Sequence, residues 1–194
     1  MKIVIDGNIG VGKTTLIKKL SKNFNTHLEN ILEWDSWLKE FYKNPKKNSL
    51  GFQMCVLLHH IKKKNCDLDK QIHILERSTI SCNKIFGKLL VDDNLLSLQE
   101  YNLCDKYDKN FGWIPDYIIY IKTPPEICLN RIKKRNRKGE NSISLDYLKK
   151  LHNKYEKLYN SNKYPVYIVN GNLDINMIHN IVLKFINHSL NNEL

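Results

Sequence analysis

The chain has 194 residues, enough for one domain with a full core and too few for two, and its 42% hydrophobic and 26% charged content is ordinary for a globular protein. No apolar run approaches the roughly 18 residues of a membrane span, and Met1 leads directly into Lys2-Ile3-Val4-Ile5, so neither a span nor a signal peptide is expected. The net charge of +11 raises nucleic-acid binding, but the lysines are scattered (Lys18-Lys19, Lys46-Lys47, Lys62-Lys63-Lys64, Lys149-Lys150) instead of lining one aromatic-studded face, which disfavours that partner and leaves small polyphosphates.

In chain order, Lys2–Asp6 reads as a first strand, followed by a glycine-rich turn and a helix whose apolar residues include Leu16, Ile17 and Leu20. A second strand is expected at Asn30–Glu33 and a helix over Gly51–Asn65. The apolar run in Ile72–Glu76 predicts a third strand, and Asn94–Lys109 the next helix. Tyr117–Ile121 is short and almost wholly apolar, as a parallel strand buried on both faces should be. In Leu145–Tyr159, Leu148, Leu151, Tyr155 and Leu158 recur at three- and four-residue steps behind Ser144, a good N-cap, and Val166–Val169 closes the series as a strand. No repeat or linker interrupts this alternation. It predicts a single α/β domain over residues 1–194 with a parallel sheet of about five strands flanked by helices. The five cysteines are odd in number and form no Cys-x-x-Cys pair, which fits reduced thiols in a cytoplasmic compartment.

Gly7-Asn8-Ile9-Gly10-Val11-Gly12-Lys13-Thr14 fits G-x-x-x-x-G-K-[ST] completely, with Thr15 next in line. Glycines at these places let backbone N–H groups and a helix N-terminus wrap a phosphate. Lys13 is expected to reach the outer phosphates of ATP, and the Thr14 hydroxyl to ligate Mg²⁺. A GTPase should also carry Asn-Lys-x-Asp; the nearest approach, Asn153-Lys154-Tyr155-Glu156, lies inside an expected helix with Glu in the wrong place.

Four further segments stand in a specific order: Glu33 at the expected strand end, Tyr42-Lys43-Asn44-Pro45 with Phe52-Gln53, Glu76-Arg77-Ser78, and the basic run Arg131–Glu140. From about Lys2 to Asp174 this order and spacing resemble the deoxynucleoside kinase family, which implies a P-loop nucleoside kinase fold with an Arg-rich lid at about 131–141. By that resemblance Glu33 takes the proton of the acceptor 5′-hydroxyl, Arg77 holds Glu33 and the 5′-oxygen, and Glu76 stands on the Mg²⁺ side. Tyr42 and Glu140 bind the 3′-hydroxyl, while Gln53 reads the base edge in a pocket shared with Phe52, Cys82 and Phe86, and Trp37 as a further aromatic. Arg131, Arg135 and Arg137 converge on the transferring phosphoryl, where forked guanidinium groups match its oxygens.

Two departures stand out. The family usually has Glu-Pro where this chain has Glu33-Trp34, with a longer stretch before the tyrosine. His60 and Cys82 occupy the places of an Arg and Asp pair found in enzymes tuned to deoxycytidine or purines, which implies a pyrimidine or broad preference including thymidine. The resemblance further implies a homodimer and feedback by a deoxynucleoside triphosphate. Two rivals remain at this level: a nucleoside monophosphate kinase of the thymidylate kinase type, and a basic nucleic-acid-binding protein with a non-catalytic phosphate loop.

Overall fold

The computed structural model describes residues 1–66, 71–137, 140 and 143–191. Its centre is a five-stranded, wholly parallel sheet in the order β2-β3-β1-β4-β5, formed by β1 (Lys2–Asp6), β2 (Asn25–His27), β3 (His73–Glu76), β4 (Tyr117–Lys122) and β5 (Val166–Asn170). Alternate residues of the central strands feed two cores. Ile3, Ile5, Ile74, Ile119 and Ile121 face one side, where they meet α1 (Lys13–Leu20), α7 (Pro125–Arg135) and α9 (Ile175–Asn191). Val4, Leu75, Ile118 and Tyr120 face the other, against Leu151, Tyr155 and Tyr159 of α8 (Leu145–Tyr159). Burial of both faces is why these strands lack a polar alternation.

The remaining helices build the acceptor side. They are α2 (Asp35–Lys43), α3 (Pro45–Ile61), α4 (Thr79–Ser81), α5 (Lys88–Asp92) and α6 (Leu98–Phe111), with a π-helical segment, Cys82–Gly87, between α4 and α5. Capping sets several boundaries that periodicity did not. Asn44 accepts from Lys47 N and Pro45 opens the first turn, so α3 starts before Gly51; it gives way at Lys62–Asn65 to a 3₁₀ turn. Asn94 is left-handed (φ 56°), and a capping box between Ser97 and Glu100 starts α6 at Leu98. Ser144 caps α8 as expected, accepting from Tyr147 N at 3.1 Å.

One expected strand is wrong. Ile31–Glu33 forms a 3₁₀ turn, and the second strand lies earlier, at Asn25–His27. The physical reason is exposure: Leu32 is 84% exposed, which a central parallel strand would not tolerate, whereas the short polar Asn-Thr-His suits the sheet edge. Among the described residues, no helix is long and apolar enough to cross a membrane.

Candidate active site

The phosphate loop leaves β1 and enters α1 with Gly7, Gly10 and Gly12 all at positive φ (146°, 83° and 102°). Side chains are excluded for a second reason at two of them. A Cβ on Gly7 would lie 2.8 Å from Ile121 O, and one on Gly10 would lie 2.6 Å from Cys128 O. Asn8 fastens the loop from within, its Oδ1 accepting from Ile9 N and its Nδ2 donating to Leu148 O of α8. Ile9 and Val11 pack into the cores below, while Thr15 is exposed on the first turn of α1. The Lys13 ammonium donates to Gly7 O and Asn8 O, and burial together with the nearby Arg77 charge lowers its pKa to about 8.

Glu76, at the end of β3, stands across from the loop and accepts from Thr14 Oγ1 at 2.8 Å. Arg77 follows it in the left-handed region (φ 59°), where the Cβ of any L-residue crowds the backbone. That turn drives the guanidinium inward, where it is 6% exposed. It donates to Gly7 O (3.2 Å) and Tyr155 Oη (2.5 Å), lies 3.5 Å from Asp6, and sits over the Phe86 ring at 4.7 Å. Asp6 in turn accepts from Gly7 N, Tyr155 and Tyr159.

The carboxylate paired with Arg77 is Glu29, with Oε2 3.3 Å from Nε. Glu29 follows β2 by two residues, and its N–H donates weakly to Glu76 Oε2 at 3.4 Å. Burial alone would raise its carboxyl, but Arg77 and then His60 hold it well below the usual carboxylate range, so it is ionised. Glu33 lies elsewhere. Its half-exposed carboxylate contacts His59 Nδ1 (3.1 Å) and Lys62 Nζ (3.5 Å). The expected Glu33–Arg77 pair is therefore replaced by Glu29–Arg77: the second strand ends six residues earlier than expected, and the carboxylate that follows it stands four residues earlier.

Around this centre, Gln53 is 2% exposed and donates from Nε2 to Cys82 O at 3.0 Å. A Cβ on Gly87 would meet that amide nitrogen at 2.9 Å. His60 is fully buried with Nε2 3.5 Å from Glu29 Oε1, and burial pushes its pKa down; burial likewise pushes the Cys82 thiol well up. In the neighbourhood expected to read the base, burial thus disfavours the charged forms of both His60 and Cys82. Phe52 stacks on Phe41 (4.9 Å between centroids) with Trp34 at its edge, and Trp37 lies against Gly51 of α3. Burial and then the Glu140 charge raise the Tyr42 phenol.

The basic run divides its duties. Arg131 donates to Val11 O (3.1 Å) and Gly171 O (3.0 Å), tying the phosphate loop to the end of β5. Arg135 grips both oxygens of Glu140, with Arg137 at 3.6 Å. Lys138, Gly139 and Asn141 of the expected lid lie outside the described residues. A cleft of about 650 Å³ opens between the phosphate loop, Arg131 and Arg135, and the turn Asn172–Asp174.

This geometry matches known proteins. The family model for deoxynucleoside kinase covers residues 3–192. The chain belongs to the deoxynucleoside kinase family. It is 36% identical to the probable deoxycytidine kinase of Fowlpox virus over 190 residues, covering 89% of this chain and 80% of that one. It is equally 36% identical to the deoxyadenosine kinase of Dictyostelium discoideum over 175 residues, covering 87% and 71% of the two chains. A solved deoxyadenosine kinase from M. mycoides, with dCMP and a flexible dCDP bound as products, superposes with a TM-score of 0.87 at 27% identity, over 97% of this chain and 100% of that one. This deoxynucleoside kinase thus phosphorylates deoxynucleosides with ATP, and its fold is that of a P-loop kinase.

Glu29, Asp6, Tyr155 and Tyr159 stand in the cluster around Arg77 without having been singled out in the sequence as candidate site residues. Tyr155 was visible only as part of the apolar stripe of α8. A signal for Glu29 did exist: taking it as the strand-end carboxylate adds four residues before Tyr42 and removes the short spacing noted above.

Proposed function

We propose that this kinase transfers the γ-phosphoryl of ATP to the 5′-hydroxyl of a broad set of deoxynucleosides, with pyrimidines preferred, and that Glu29 is the base. The observation that carries the reading is the Glu29–Arg77 pair at the ends of β2 and β3, facing the phosphate loop. An ionised carboxylate there accepts the hydroxyl proton as the 5′-oxygen bonds to the γ-phosphorus and the bond to the β-bridging oxygen breaks, releasing ADP. Arg77 keeps Glu29 ionised and oriented. Lys13 and the lid arginines Arg135 and Arg137 balance charge on the transferring group. Thr14 and Glu76, already joined through 2.8 Å, are the hard oxygen donors that suit Mg²⁺, which when bound would neutralise phosphate charge.

Tyr42 and Glu140 would take the 3′-hydroxyl, and Gln53 the base edge, since a side-chain amide can meet either thymine or cytosine by flipping. The neutral His60 and Cys82 support pyrimidine preference with breadth; the names of the relatives, spanning cytosine and adenine nucleosides, support the breadth. Exposed Leu58 of α3 and Leu103 and Phe111 of α6 would suit a homodimer contact. The test is a panel of the four deoxynucleosides with ATP and Mg²⁺. Thymidine and deoxycytidine should show the highest kcat/KM; a purine deoxynucleoside exceeding both by tenfold or more would refute the base preference.

A further inference from the structure

Away from the active-site cluster, three soft-to-borderline ligand atoms come together at the sheet edge. His27 ends β2, His73 begins β3, and Cys66 follows the 3₁₀ turn Lys62–Asn65. Parallel pairing sets His73 opposite Asn25 and His27 opposite Leu75, so both imidazoles project on the Leu75 side of the sheet, where Cys66 also packs. His27 Nε2 lies 2.8 Å from His73 Nδ1, and one ring nitrogen of each histidine and Cys66 Sγ all lie within 4.8 Å of one another.

We propose that His27, His73 and Cys66 form a zinc-class divalent metal site, three protein ligands with a fourth position open to solvent or a small donor. Two imidazoles and one thiolate match Zn²⁺ and exclude Mg²⁺ and Ca²⁺, which demand oxygen. The required movement is small. Tetrahedral bonds of zinc length put the two nitrogens about 3.3 Å apart and each nitrogen about 3.6 Å from sulfur, against 2.8 Å and at most 4.8 Å here. His27 and Cys66 are both partly exposed, which leaves a way in. Binding replaces the direct imidazole contact with two metal–nitrogen bonds, the hydrogen between the rings moving to the other nitrogen of the donor ring, and converts the Cys66 thiol to thiolate, its proton passing to buffer. The site would brace an edge strand of three residues. Only Leu28 separates His27 from Glu29, so bracing bears on the base without touching substrate.

Cobalt titration of the metal-stripped full-length chain is the direct test. One Co²⁺ per chain should bind with a thiolate charge-transfer band and intense tetrahedral visible bands, and Zn²⁺ should displace it stoichiometrically. Cys66→Ser should abolish the charge-transfer band. His27→Gln, at a partly exposed position, should weaken Zn²⁺ by at least roughly the 10-fold seen when only a supporting group is lost. Cys55→Ser should change neither. Absence of binding, or a thiolate band that survives Cys66→Ser or disappears with Cys55→Ser, would overturn the proposal, as would unchanged Zn²⁺ affinity in His27→Gln. None of these readouts depends on kinase activity.

Discussion

Arg77 carries three demands at once: a left-handed backbone, a buried positive charge, and contact with two acids, Asp6 at the end of β1 and Glu29 just beyond β2. Glu29 and Asp6 together make that burial tolerable, because a buried charge stripped of its partner typically costs about 3–5 kcal/mol. Activity should therefore separate the two candidate carboxylates. Glu29→Gln should cut kcat by about 10²–10⁴-fold, the usual worth of a positioned general base. Glu33→Gln, which alters only contacts to His59, Lys62 and Asn30, should stay within about threefold of wild type. Steady-state kinetics on both variants, with circular dichroism to confirm folding, decides between them; a larger loss in Glu33→Gln would return the role to Glu33. The difference was hard to see in the chain itself. Ile31-Leu32 looks like the core of a strand, and only three-dimensional packing shows Leu32 facing solvent. Lys13, Thr14, Glu76 and Arg77 could be singled out because each sits at a fixed offset from a glycine motif or a strand end, whereas Gln53 was expected only through the resemblance carried by the segment from Tyr42 to Gln53.

At the scale of elements, the phosphate loop is held by its neighbours more than by itself. Asn8 reaches α8, Arg131 of α7 reaches Val11 O, and Gly10 closes on Cys128 O of the same helix. Gly10→Ala places a Cβ 2.6 Å from that carbonyl at φ 83°, so loop and helix must part. Binding of a fluorescent ATP analogue should fall by tenfold or more in this variant; unchanged affinity would show that the loop tolerates separation from α7. Elements with strong periodicity or an apolar run were readable in advance: β1, β3, β4, β5 and α8 all fall within two residues of expectation. On the acceptor side α3 and α6 were expected as helices with displaced bounds, while α2, α4 and α5 were not expected. The helix α2 is only nine residues long and leaves none of them buried, and the starts of α3 and α6 depend on the caps Asn44 and Ser97.

For the whole molecule, the sheet order brings the ends of β2, β3 and β1 together on one edge of the phosphate loop, and this sets the sign of charge met by the acceptor. Glu29, Glu76 and Asp6 lie there, partly offset by Arg77 and Lys13. A neutral hydroxyl gains from such a carboxylate. A monophosphate, carrying close to two negative charges near neutral pH, is repelled by it: a unit pair at about 4 Å costs roughly 4 kcal/mol at an effective dielectric near 20. The decisive measurement is kcat/KM of the wild-type enzyme for deoxycytidine and for deoxycytidine monophosphate under identical ATP and Mg²⁺. The nucleoside should be the better acceptor by about 10²-fold or more. Equal or faster turnover of the monophosphate would contradict the account and make the enzyme a nucleotide kinase.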